Sequence, residues 1–228
     1  RLRGRGEGRV AVPLPAVAAA VFGVLGIGAE RLASVWPAIE ARRRPPSWRT
    51  LGLGLVSAGA AYGLVTVAHL PPWSVLVHLV MLGLMVGLVA TDLEQRRLPH
   101  LLLDPLIVVA VGFAFVNPAV ETVAAFAGAA AAVVFLGILT LIIRGGMALG
   151  DLYLAVPIGL TLGWPLVWSG LFTGALLAAA VSLFLVVTGR VGLRSYIAFG
   201  PYLVAGYVLT LLREVSLLAP SAAAGLRF

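Results

Sequence analysis

Arg144-Gly145-Gly146-Met147-Ala148-Leu149-Gly150-Asp151 lies between two long apolar runs and brings a carboxylate to the mouth of the second. An earlier apolar run, Trp73 to Thr91, ends on a second carboxylate, Asp92, in the same way. The chain holds only one other aspartate, Asp104. A carboxylate at a membrane boundary is costly unless it faces a polar cavity, so this paired placement is the feature to explain.

The surrounding composition makes the boundary a membrane one. The 228 residues are 61% hydrophobic and 11% charged, with a mean hydropathy of +1.07. A soluble domain carries about 25% charged residues. Apolar runs of roughly 20 residues recur along the chain, long enough to cross a bilayer as helices. The expected fold is therefore all-α: a polytopic helical membrane protein of about eight transmembrane helices. Residues 1–9 read as a disordered or appended lead and 10–228 as a single membrane domain. The absence of cysteine excludes disulfides, thiolate nucleophiles and cysteine-zinc sites. All basic residues are arginine, which excludes a Schiff-base lysine. The +7 charge needs no nucleic acid, because arginine flanking membrane spans gives the same balance.

The expected spans are 10–29, 51–70, 73–91, 101–116, 119–143, 152–162, 166–188 and 196–212. Loops after the odd-numbered spans carry Arg42, Arg43, Arg44 and Arg49, then Arg96 and Arg97, then Arg144, then Arg190 and Arg194. Loops after spans two, four and six carry none. The excess of arginine marks the cytoplasmic side. Residues 30–50 then form a short cytoplasmic loop, and Asp92 and Asp151 face the cytoplasm. The basic start, which falls outside, is the one conflict.

Two spans separate the aspartates, so the chain returns to the same face and the carboxyls can meet. Two carboxyls within a few ångströms cannot easily both ionise and come to share a proton. One then takes a proton from water while the other donates to a carbonyl oxygen. Gly150 leaves room for a substrate backbone beside Asp151. The plain alternative is helix capping, which accounts for either aspartate singly but not for their common depth.

Three stretches carry a family resemblance. Asp92-Leu93-Glu94-Gln95-Arg96-Arg97-Leu98-Pro99 resembles the first aspartate motif of type IV prepilin leader peptidases. Met147-Ala148-Leu149-Gly150-Asp151-Leu152-Tyr153 resembles their Gly-x-Gly-Asp, and Ile197-Ala198-Phe199-Gly200-Pro201-Tyr202 their Pro-Phe-Gly-Pro. The resemblance runs from about Trp73 to Leu212, with a peptidase core at 73–212. It implies a GxGD-type aspartyl protease of the bacterial cytoplasmic membrane, cutting prepilin or pseudopilin leaders before their apolar segment. Asp92 and Asp151 would be the catalytic pair, with Gly150, Ala148, Tyr153 and Pro99 shaping the loops and the substrate approach. No metal or organic cofactor is expected, and the oligomeric state stays open. Ala148 stands where the first glycine of the motif is usual, Tyr153 where a lysine is usual, and Ala198 where a proline is usual. Many members also carry a four-cysteine zinc insertion linked to N-methylation, absent from the 30–50 loop, so methyltransferase activity is not expected.

Two rivals remain at this level. Presenilin-like proteases share Gly-x-Gly-Asp, but Thr91 precedes Asp92 and no Pro-Ala-Leu occurs. An inactive relative, or a transporter binding a proton or ion at the same aspartates, differs in class. Asp104, Glu94, His69, His78 and His100 read as boundary or interfacial residues. The glycines of Gly83-x-x-x-Gly87 read as close helix packing.

Overall fold

The computed structural model describes residues 13–37, 45–67, 70–142, 149–190, 192 and 198–224, with side chains as far as Arg213. Among these the fold is all-helical: α1 (Leu14–Ala33), α2 (Trp48–Val67), α3 (Pro72–Gln95), α4 (His100–Ala114), α5 (Thr122–Ile142), α6 (Leu149–Leu162), α7 (Val167–Val187) and α8 (Gly200–Ala224). The helices follow the expected spans in number and order. Five of them, α1, α2, α3, α5 and α7, are long and apolar enough to cross a membrane, whereas α4 and α6 are shorter apolar helices. Their starts follow local chemistry: Pro71, Pro72 and Pro99 stand at the openings of α3 and α4. There a missing N–H costs no intrahelical bond. α6 ends at Gly163, whose φ of 69° suits a residue without Cβ.

Two boundaries differ from the expectation in ways that bear on the aspartates. α3 runs past Asp92 to Gln95, because the polar run after Asp92 still has good helix formers in Leu93, Glu94 and Gln95. α6 opens at Leu149, so Asp151 sits inside its first turn rather than ahead of it. A carboxylate there is favoured by the partial positive charge of a helix N-terminus. Ala148 and the rest of 143–148, like Arg194, Tyr196 and Ile197, lie outside the described residues.

α1 and α2 form a hairpin that packs on α3, while α5–α6 and α7–α8 form two further close pairs. At the joined ends of the hairpin, the Thr50 hydroxyl donates to Glu30 Oε2 at 2.8 Å. Among the described residues no backbone contact joins α3 to α6. α4 and α8 each touch both helices and hold them apart. The core is filled by Met81, Met85, Leu88, Leu103, Leu154, Ile158, Leu203 and Tyr207, all fully buried.

Lipid tails are as apolar as leucine, so helices in a bilayer associate through close packing rather than water exclusion. α5 and α6 meet so closely at Gly159 that a Cβ there would stand 2.5 Å from the Cα of Ala129. Gly112, on α4, has nothing within 4 Å of such a Cβ. Gly159→Val should therefore destabilise the fold by about 2 kcal/mol through overpacking, while Gly112→Ala should stay within about 1 kcal/mol of wild type. Thermal unfolding in detergent measures both. Equal melting temperatures for the two variants would refute the crossing.

Candidate active site

Asp92 and Asp151 are 6% and 4% exposed, whereas among the described residues the arginines are mostly at the surface. Asp92 sits one turn before the end of α3. Its Oδ2 accepts the N–H of Gly200 at 3.0 Å. Gly200 is the first residue of α8, so a carboxylate from α3 satisfies one of that helix's orphan N-terminal donors. The carboxylates of Asp92 and Asp151 lie within electrostatic reach of each other, and Arg96 reaches Asp92 as well. Each acid is thus held at the positive end of a helix, Asp92 at α8 and Asp151 in α6.

The loop after α3 completes the arrangement. Arg96 closes that helix in the left-handed conformation (φ 53°, ψ 42°), its N–H bonded to the Asp92 carbonyl at 2.9 Å. The chain then turns back over the pair and places Leu98 between two glycines. A Cβ on Gly150 would stand 3.0 Å from Leu98 Cβ, and one on Gly200 would stand 2.8 Å from Asp92 Oδ2. Gly200 therefore has to be glycine for the Asp92 bond to form at that length. Gln95 Nε2 donates to the carbonyl of Ala33 and ties this end of α3 to the hairpin.

The candidate residues divide. Asp92, Gly150 and Asp151 converge, together with Gly200. Pro99 stands at the N-cap of α4, its carbonyl accepting from Leu102 and Leu103 at 3.0 and 3.1 Å. It sets the direction of the loop rather than meeting the acids. Tyr153 is 47% exposed. Two positions along a helix is about 200° of rotation, so Tyr153 and Asp151 face opposite ways. Its ring instead lies edge-on to His100 at 5.2 Å, and His100 Nδ1 is 3.1 Å from Asp104 Oδ1. Leu98 is the residue the sequence reading passed over; its only signal was a leucine before proline. Buried His78, whose Nδ1 is 2.8 Å from the Ser74 carbonyl, is core rather than interfacial.

A multi-helix membrane protein with two buried acids on neighbouring helix ends is the class of protein this fold and site define. Residues 79–187 match the type IV leader peptidase family. The resemblance to that family is borne out over this segment, within which both aspartates fall; Gly200 lies beyond it. The prepilin leader peptidase/N-methyltransferase of Bacillus subtilis (strain 168) is 28% identical over 140 residues, covering 61% of this chain and 56% of that protein. The match thus spans little more than half the length of that relative. No solved structure matches the chain significantly.

Asp92→Asn removes like-charge repulsion across the pair yet keeps an oxygen for the Gly200 N–H. Sites built for chemistry commonly give up stability, so this variant should be more stable by about 1 kcal/mol at neutral pH. A melting temperature in detergent below that of wild type would contradict the pairing described.

Proposed function

We propose that this protein is a membrane aspartyl endopeptidase of GxGD type, removing the leader of type IV or Tad-type prepilins or pseudopilins at the cytoplasmic face. The observation that carries the proposal is the convergence of Asp92 and Asp151, each 6% exposed or less, within electrostatic reach on the ends of α3 and α6. The family match over residues 79–187 supports it, and the Bacillus subtilis relative is named for the same leader peptidase activity. In this reading all eight helices span or enter the bilayer, with the arginine-rich loops cytoplasmic.

The chemistry follows from the pair. One carboxylate accepts a proton from a water molecule as its oxygen attacks the scissile carbonyl carbon. The other, protonated, donates to the carbonyl oxygen. Collapse of the tetrahedral species breaks the C–N bond, and the amine leaves with a proton returned by the pair. In this reading an extended peptide reaches the acids by displacing Leu98, which packs against both Gly150 and Gly200. No metal takes part in this scheme. Methyl transfer is not proposed, since the cysteine-bearing insertion associated with it has no counterpart in 30–50.

Co-expression with a prepilin from the same genome tests the assignment. Asp92→Asn and Asp151→Asn should each lower leader removal at least a hundredfold, the range of an acid–base group. Mass spectrometry of the pilin reads the result. Tyr153→Phe should leave the rate within about threefold, because that ring faces away from the acids. Cleavage that survives both aspartate variants would end the proposal. No cleavage by wild type, with a proton flux in liposomes that needs Asp92 and Asp151, would favour the transporter instead.

A further inference from the structure

Between Gln95, the last residue of α3, and His100, the first of α4, runs the segment Arg96-Arg97-Leu98-Pro99. Its ends are anchored. Arg96, in the left-handed conformation, donates its N–H to the Asp92 carbonyl at 2.9 Å. The Pro99 carbonyl accepts from Leu102 and Leu103, and the His100 ring rests edge-on against Tyr153 at 5.2 Å. The middle is held differently: Arg97 and Leu98 make no backbone hydrogen bond to another described residue. Arg97 is exposed. Between the anchors, what seats the segment is the Leu98 side chain.

That side chain spans the neighbours of both acids. Its Cβ and Cδ1 lie 3.0 Å from the place a Cβ would take on Gly150, the residue before Asp151. Its Cδ2 lies 3.6 Å from the corresponding place on Gly200, which Asp92 Oδ2 approaches to 2.8 Å. Neither glycine has a side chain to cover the acids, so the covering falls to Leu98. Leu98 is itself only half-buried, so moving it opens a path to the outside rather than a void in the core. Chemically it suits a cover better than a partner. A methyl group offers a carboxylate no hydrogen bond, whereas water or a peptide N–H brought to the same place offers one. A group that bonds to the acids therefore competes well against it.

We propose that Leu98 is a self-blocking plug: in the free protein it closes the approach to Asp92 and Asp151, and it swings outward between the Arg96 and Pro99 anchors to admit what the acids act on. Closed, it keeps water from the pair until something displaces it. It also lowers apparent affinity, because only the open form binds. The plug is a property of the free protein. Only its consequence for cleavage rests on the peptidase reading, and the test separates the two.

The first arm reads access without turnover. A water-soluble carbodiimide with an added amine modifies carboxyls that solvent reaches, and mass spectrometry assigns the site. Leu98→Ala should speed modification of Asp92 and Asp151 by about fivefold, as when a minor open state becomes the major one. Asp104, whose side chain is 67% exposed, should be modified at an unchanged rate in the same sample. No gain at the acids, or a matching gain at Asp104, overturns the proposal. The second arm locks the plug. The chain has no cysteine, and the Cβ positions of residues 98 and 150 lie close enough for a disulfide. With Leu98→Cys and Gly150→Cys together, oxidation should protect both acids, and reduction, with the reductant then removed, should expose them again. Both states are read on one preparation, so a folding defect cannot mimic the result. Failure of the pair to bridge, or equal modification in both states, overturns the proposal. The third arm reads cleavage of a prepilin from the same genome. Leu98→Ala should lower KM by about threefold with kcat little changed, since it raises the binding-competent fraction. A KM unchanged or raised, as for a leucine that only fills space, also overturns it. Should the acids become accessible while no form cleaves the precursor, the plug stands and the peptidase reading falls.

Discussion

The hydrogen bond from the Gly200 N–H to Asp92 joins two helices that are distant in sequence, and the local geometry follows from it. A carboxylate in poorly solvated surroundings needs donors. A helix N-terminus offers them at fixed positions, with a partial positive charge behind them. Such charge-assisted bonds contribute about 1.5–3 kcal/mol. The bond fixes how α8 enters the bundle, excludes a side chain at residue 200, and leaves Leu98 as the filler between Gly200 and Gly150. Asp151 receives similar treatment from its own helix by lying in the first turn of α6. Both acids are therefore positioned by backbone donors at fixed places.

Around this point the bundle uses two kinds of helix contact. α5–α6 and α7–α8 are drawn together at glycines, where backbone meets backbone. α3 and α6 are kept apart by α4 and α8, with side chains such as Met81 and Thr161 bridging the interval at 3.9 Å. Tight pairs give the rigidity that positions a site to a fraction of an ångström. Pro105 and Pro157, each inside a helix, are tolerated because neighbouring helices can re-satisfy the freed carbonyls.

Much of this was legible in the sequence. Hydropathy runs and prolines gave the eight helices and their order, since a bilayer leaves the chain few other solutions. The aspartates stood out because composition made them rare. What the sequence hid was direction and partnership. That Asp92 lies within α3 depends on helix propensity outlasting hydropathy by a turn. That Tyr153 faces His100 rather than Asp151 depends on helical phase, which is clear once the start of α6 is known. The role of Leu98, and the reason residue 200 lacks a Cβ, exist only where segments far apart in the chain meet.

The hairpin of α1 and α2 lies wholly outside the segment that carries the peptidase family signature. Even so, α2 supplies one wall of an apolar groove of about 390 Å³ whose other walls are α3 and α8, and the bond between Thr50 and Glu30 fastens that wall to α1. The two acids and this apolar wall are thus encoded in separate stretches of the chain. Changes in α2 can reshape that surface while leaving the acids and their supporting backbone untouched. The fold is in this respect modular: a fixed pair of acids with an exchangeable flank.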